Sequence, residues 1–212
     1  MKVKVCGITK IEQLQGLADT GAAFGGLIFY KKSPRYVLNH LKPEDIRTVS
    51  DIKKIGVFVN ANPQEVIEIA EKADLFMVQL HGEESADDCK IISKHVPVMK
   101  AISVSEKTSF KDLSEYQDTV KMFLFDTKGE GYGGTGKKFN WKILDQYPIK
   151  KPYFLSGGIG YHDLNAVREF AKAHTGKNLF ALDINSKFEI TPGIKDLDLV
   201  KKFIQEINKE II

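Results

Sequence analysis

Short apolar runs alternate with amphipathic stretches along the length of the chain. Eight of these runs predict strands: Val3–Cys6, Phe24–Phe29, Lys54–Val59, Leu75–Leu80, Val98–Ile102, Met122–Asp126, Tyr153–Ser156 and Leu179–Ile184. Most are continuously apolar rather than alternating, as expected of strands covered on both faces. Helical periods lie between them. Asn62-Pro63-Gln64-Glu65 reads as N-cap, N1 proline and capping-box carboxylate, followed by Val66, Ile69, Ala70 and Ala73 on one face. Pro43 with Glu44 and Asp45 opens another helix in the same style. Leu197, Val200, Ile204, Ile207 and Ile211 mark the last one at steps of three and four. Phe110–Tyr116 is the weakest helical segment.

Eight strand–helix units in 212 residues average about 26 residues each, close to the ~30 of a repeating strand–helix unit. The pattern predicts the α/β class and a single (β/α)8 barrel over residues 1–212, with eight parallel strands and roughly eight helices outside. A doubly wound open sheet uses the same ingredients, usually with fewer strands at this length. No Pro/Gly/Ser-rich linker divides the chain. In a barrel, chemistry belongs at the C-terminal ends of strands and in the loops that follow them.

Composition narrows the setting. With 42 % hydrophobic and 28 % charged residues and only 7 prolines, the chain is not disordered. A net charge of +3 from scattered lysines gives no clustered basic face, so no nucleic-acid partner is expected. The longest charge-free apolar stretch, Thr20–Tyr30, falls short of the ~17–25 residues of a membrane span. The opening MKVKVCGITK has no apolar signal region. Cys6 and Cys89 make neither a disulfide framework nor a zinc motif, and a cytoplasmic location is the default. No helix shows surplus apolar surface, so a monomer is expected, with a dimer as the alternative.

The strand ends carry the candidate chemistry. Cys6 finishes the first strand and is followed by Gly7, which places its thiol at the barrel mouth; a buried small hydrophobe is the competing reading, and the better one for Cys89. Asp126 ends the apolar run Met122–Asp126. Apolar walls favour the neutral form of a carboxyl group, which suits a general acid; a loop cap is the alternative. The loop after it, from Lys128 to Lys137, matches G-x-G-x-x-G and nearly matches a nucleotide phosphate loop, but Lys138 stands where Ser or Thr would hold magnesium. A mobile lid over a small substrate fits better. Ser156-Gly157-Gly158 after strand seven and Asp183-Ile184-Asn185-Ser186 after strand eight are placed to form a phosphate cradle, though tight turns alone would also use glycine. Arg35, in the stiff Ser33-Pro34-Arg35-Tyr36 turn, reads either as a fork for a substrate carboxylate or as a lone surface arginine. Gln79 and His81 end strand four as pocket-lining residues.

Several strings together resemble phosphoribosylanthranilate isomerase of tryptophan biosynthesis. They are Lys4-Val5-Cys6-Gly7-Ile8-Thr9, Ser33-Pro34-Arg35, Val78-Gln79-Leu80-His81-Gly82, Asp126-Thr127 with Gly133-Gly134-Thr135-Gly136 and Phe139-Asn140-Trp141, Leu155–Ile159 and Thr191–Asp196. The resemblance spans essentially the whole chain in the family's order. It implies a (β/α)8 barrel that performs an Amadori rearrangement without metal or organic cofactor, on a small phosphosugar–anthranilate substrate. N-(5′-phosphoribosyl)anthranilate becomes 1-(2-carboxyphenylamino)-1-deoxyribulose 5-phosphate. Mapped onto this chain, Asp126 is the general acid that protonates the ring oxygen and Cys6 the general base that takes the C2′ proton. Arg35 orients the anthranilate end, Asp183 lies near the ribose hydroxyls, and Gly157, Gly158, Asn185 and Ser186 bind phosphate.

The residues agree with this division of labour, since a thiol must lose its proton before it can accept one. An unperturbed thiol near pKa ~8.5 is mostly protonated at neutral pH, so nearby positive charge or the substrate must assist it. Two positions depart from the family pattern: Lys187 replaces a glycine at the phosphate turn, and Asn140 replaces a common Asp at a helix start, an almost neutral exchange of N-caps. The rivals are another phosphosugar isomerase or epimerase and an inactive phosphate-binding barrel. His81 and Asp183 are too few for a metal-dependent member, and a mere binder needs neither Cys6 nor Asp126.

Overall fold

The computed structural model describes residues 1–105, 108, 111–127, 140–146, 149–173 and 175–209. Its parallel strands are β1 (Lys2–Cys6), β2 (Phe24–Ile28), β3 (Lys53–Phe58), β4 (Met77–Leu80), β5 (Val98–Val104), β6 (Met122–Thr127), β7 (Tyr153–Leu155) and β8 (Leu179–Ile184). They pair in sequence order, and β8 pairs with β1 to close the barrel. The helices are α1 (Ile11–Thr20), α2 (Pro43–Arg47), α3 (Pro63–Ala73), α4 (Ala86–Ser93), α5 (Leu164–Lys172) and α6 (Leu197–Asn208). Strand ends agree with the sequence pattern within about two residues, the ordinary uncertainty of element boundaries.

Where the pattern predicts helices five and six, the described residues hold single 3₁₀ segments, Lys111–Tyr116 and Trp141–Gln146. The first offers only Leu113 and Tyr116 as apolar anchors, too few for a two-turn stripe. The second runs towards Pro148, which a continuing helix would not accommodate. The Asn62 cap forms as expected, its side chain accepting the Gln64 N–H at 2.9 Å.

Strand alternation sorts side chains into two cores. Val3, Val5, Val78, Leu80, Phe123, Phe125, Leu182 and Ile184 pack outward under the helices. Phe24, Ile55, Met77, Met99, Leu124, Phe154 and Ala181 fill the barrel interior. Beyond β8 a small antiparallel hairpin, β9 (Glu189–Thr191) and β10 (Ile194–Lys195), folds back over the first strand–helix loop. Gln13 grips Lys195 through two hydrogen bonds of 2.8 and 2.9 Å, and Thr9 donates to the Gly193 carbonyl at 2.8 Å. Glu189 collects Arg35 in a fork at 2.8 and 2.6 Å, Lys195 at 2.7 Å and the Gly193 N–H at 3.0 Å.

Leu124→Ala empties part of the barrel interior, and chemical denaturation is expected to show a loss of about 2–5 kcal/mol. The Glu189 network supplies a pH test. Burial alone would raise this carboxyl group, yet hydrogen bonds from Arg35 and Lys195 hold it down at about 2. A depressed carboxylate stabilises the fold above its unfolded pKa of ~4.3, and the contribution is lost as pH falls from there through the folded value. Glu189→Gln therefore lowers unfolding free energy near neutrality, and its gap from the parent protein narrows across that acid window. A gap independent of pH would contradict the assignment.

Candidate active site

The two-residue period of the strands builds the site. Because Val3 and Val5 point outward on β1, Lys4 and Cys6 point into the barrel. The same step of two lifts each strand from an apolar interior residue to a polar one nearer the mouth: Met77 to Gln79, Leu124 to Asp126 and Ala181 to Asp183. On the neighbouring β2, a Cβ at Gly26 would lie 2.9 Å from Cys6 Sγ and 3.0 Å from Lys4 Cε. That glycine leaves room for both side chains.

These residues surround an open cavity of about 70 Å³ at the C-terminal end of the strands. Cys6, Gln79, His81, Asp126, Asp183, Gly157, Gly158, Asn185 and Ser186 all line it, so nine of the ten residues singled out from the sequence are brought together. Arg35 lies to one side. Its guanidinium is forked to Glu189, and its stem packs over Gly7, where a Cβ would come within 2.6 Å of Arg35 Cδ. The structure thus pairs Arg35 internally where the sequence reading gives it to a ligand carboxylate. The Lys128–Lys137 loop, expected to form a lid, lies outside the described residues, as does Phe139 of the family strings. Cys89 is fully buried in α4, where burial pushes its thiol up to about 12, consistent with a core role.

A chain of polar contacts runs from Cys6 to Asp126. Lys4 Nζ donates to Cys6 Sγ at 3.3 Å, Gln79 Oε1 at 2.7 Å and Asp183 Oδ2 at 3.0 Å. An ammonium group has three N–H donors, and each finds an acceptor here. With its oxygen engaged by Lys4, Gln79 must present Nε2 to His81 Nδ1, 2.7 Å away. In the neutral ring the proton then sits on Nε2, which faces Asp126 Oδ2 at 3.3 Å. Asp126 Oδ1 accepts the Thr127 N–H at 2.8 Å.

The charges follow from this packing. Burial alone would lower the Lys4 ammonium, but Asp183 and Cys6 together hold it above the ordinary lysine value. Burial pushes the Cys6 thiol up, while the Lys4 and Lys195 charges pull it the other way. Asp183 Oδ1 is buried without a hydrogen-bond partner among the described residues.

On the same rim, just after β7 and between Asp126 and Asp183, Gly157 and Gly158 take φ values of 98° and 65°. Both lie in the left-handed region that glycine tolerates, and a Cβ at Gly157 would collide with Thr127. Asn185 Oδ1 is committed to Lys195 at 2.6 Å, and Ser186 opens a 3₁₀ turn, Ser186–Phe188. Lys187 is exposed, its stem beside Gly160. Among the described residues, no group of three or more His, Cys, Asp and Glu side chains is placed to hold a metal.

Lys4 is the site residue that sequence reasoning missed, because a lysine is ordinarily assigned to solvent. The signal was present: once Cys6 faces the interior, a residue two positions earlier shares that face.

Comparisons with known proteins agree with this geometry. Residues 3–206 match the family model for N-(5′-phosphoribosyl)anthranilate (PRA) isomerase. The N-(5′-phosphoribosyl)anthranilate isomerase of Parabacteroides distasonis is 40 % identical over 98 % of this chain and 93 % of its own length. A crystal structure of the enzyme from Thermotoga maritima is 34 % identical, with a TM-score of 0.81 over 98 % of both chains. Another solved structure, 31 % identical with a TM-score of 0.80 over 98 % of both chains, is a complex with reduced 1-(o-carboxyphenylamino)-1-deoxyribulose 5-phosphate. A barrel whose inward thiol and carboxylic acid meet on one cavity, matched in family over nearly its whole length, belongs to the phosphoribosylanthranilate isomerases.

Proposed function

We propose that this cavity isomerises N-(5′-phosphoribosyl)anthranilate, within tryptophan biosynthesis, by acid–base catalysis from Asp126 and Cys6. The observation that carries the reading is the convergence of these two side chains, from strands β6 and β1, on one cavity rim. Asp126, with His81 beside it, gives a proton to the ribose ring oxygen, and the C1′–O bond breaks to leave an iminium ion. Cys6 thiolate then takes the C2′ proton. The C2′–H electron pair moves into the C1′–C2′ bond, neutralising the iminium nitrogen and giving an enolamine that tautomerises to the ketone.

The remaining residues hold the two ends of the substrate. Gly157, Gly158, Asn185 and Ser186 cradle the phosphate, with backbone N–H groups as the main donors. Asp183 Oδ1 accepts a ribose hydroxyl, while Gln79 and His81 border the sugar. Arg35, fixed by Glu189, offers the rest of its guanidinium to the anthranilate carboxylate. Holding both charged ends places the sugar carbons between acid and base, the positioning part of the rate enhancement.

No metal or organic cofactor enters the scheme. The chain works as one domain, 1–212, in the cytoplasm. A monomer is the proposed state, since the exposed large apolar residues among the described residues, Met1, Phe76, Ile91 and Ile190, are few. No helix among the described residues is long and apolar enough to cross a membrane.

Purified protein supplied with phosphoribosylanthranilate and EDTA is expected to abolish the substrate's fluorescence at an unchanged rate, and dependence on added metal would overturn the scheme. Asp126→Asn and Cys6→Ala each lower kcat by at least ~10²-fold with substrate affinity retained, the scale of a lost general acid or base; near-normal turnover removes that residue from the mechanism. Arg35→Ala mainly raises KM, and an unchanged KM places the carboxylate elsewhere.

A further inference from the structure

A buried thiol is a poor base, and the fold surrounds this one with specific charge. We infer that Lys4 is the positioning residue for the Cys6 base: its ammonium, fixed by Asp183 and Gln79, donates to Cys6 Sγ and stabilises the thiolate that takes the C2′ proton. The inference rests on the reading of Cys6 as the base and adds what activates it.

Three observations carry it. Lys4 is completely buried, and its three N–H donors go to acceptors on β1, β4 and β8, which leaves the nitrogen no alternative place. Hydrogen bonds to a charged form favour that form, and a sulfur receiving an N–H is stabilised as the anion. Space for the contact is reserved at Gly26, where any side chain would strike both Cys6 Sγ and Lys4 Cε. Core packing alone would not need an ammonium here, because an apolar side chain of similar length would fill the same interior.

The charges around Cys6 come from several elements. Lys4 on its own strand and Lys195 on β10 favour the thiolate, and Asp183 on β8 opposes it. Arg35 after β2 faces the same sulfur. His81 on the β4 loop and Asp126 on β6 stand farther along the rim and bear on Asp183. Of these groups only Lys4 touches Sγ with a donor. In the competent form the thiol proton has left through the open cavity to water, and an ammonium–thiolate pair remains. Transfer of the C2′ proton to sulfur then regenerates the thiol and cancels the charge of the iminium.

The test uses the full chain in a Cys89→Ala background, so that Cys6 is the only thiol. Ultraviolet thiolate absorbance and the rate of iodoacetamide alkylation are followed against pH. Lys4→Met is expected to raise the thiolate midpoint by at least one unit, so that alkylation below the midpoint slows ~10-fold or more. The acid limb of kcat/KM moves up with it. Should Lys4→Met fail to fold because Asp183 is left unpaired, Asp183→Asn is compared with the Lys4→Met/Asp183→Asn double variant, which must show the same displacement. A midpoint unmoved by loss of Lys4 in a folded protein overturns the inference. Cys6→Ala is run alongside: if it keeps full turnover, the reading of Cys6 as base fails instead, whatever the titration shows.

Discussion

An ammonium group held inside a β-barrel constrains everything around it. Lys4 has no exposure, and desolvating an unpaired charge at such a depth costs several kcal/mol. Its three donors therefore demand three acceptors, and Cys6, Gln79 and Asp183 supply them from three strands. Meeting that demand fixes the sulfur, one oxygen of the Asp183 carboxylate and the orientation of the Gln79 amide together. The amide then dictates the His81 tautomer, and His81 faces Asp126. One buried charge thus orders a polar layer over an apolar barrel floor.

The second ordering device is electrostatic and lies just outside the first. Glu189 gathers Arg35 and Lys195, and Lys195 in turn holds Asn185. The hairpin after β8 is thereby tied to the turn after β2 and to Asn185 at the end of β8. Two cationic side chains are brought close to the sulfur without remaining mobile in solvent. Such arrangements hold charged ligand-facing groups in place before a ligand arrives, which is the usual means of lowering reorganisation in an active site.

Much of this was legible in the sequence, for physical reasons that differ by region. The barrel followed from eight apolar runs with helical periods between them, since strands covered on both faces leave that pattern. The fifth and sixth helices were not legible because one or two apolar anchors and a nearby Pro148 permit only a 3₁₀ turn. Cys6, Asp126 and Asp183 could be placed at the mouth because each ends an apolar run. Lys4 could not be found by that rule, as it sits inside its strand and not at the end of an apolar run, and its partners Gln79 and Asp183 are about 75 and 180 residues away in sequence. Arg35 was visible as an arginine in a stiff turn, but its internal partner Glu189 lies 154 positions later, beyond any local pattern.

The account is most directly tested by a crystal structure of this protein with a reduced, unreactive product analogue. It predicts Cys6 Sγ within ~3.5 Å of the sugar's second carbon and an Asp126 oxygen within hydrogen-bond reach of the former ring oxygen, with phosphate on the Gly157–Gly158 turn. An analogue seated with its sugar beyond reach of either side chain, or with its phosphate at the opposite end of the barrel, would contradict it.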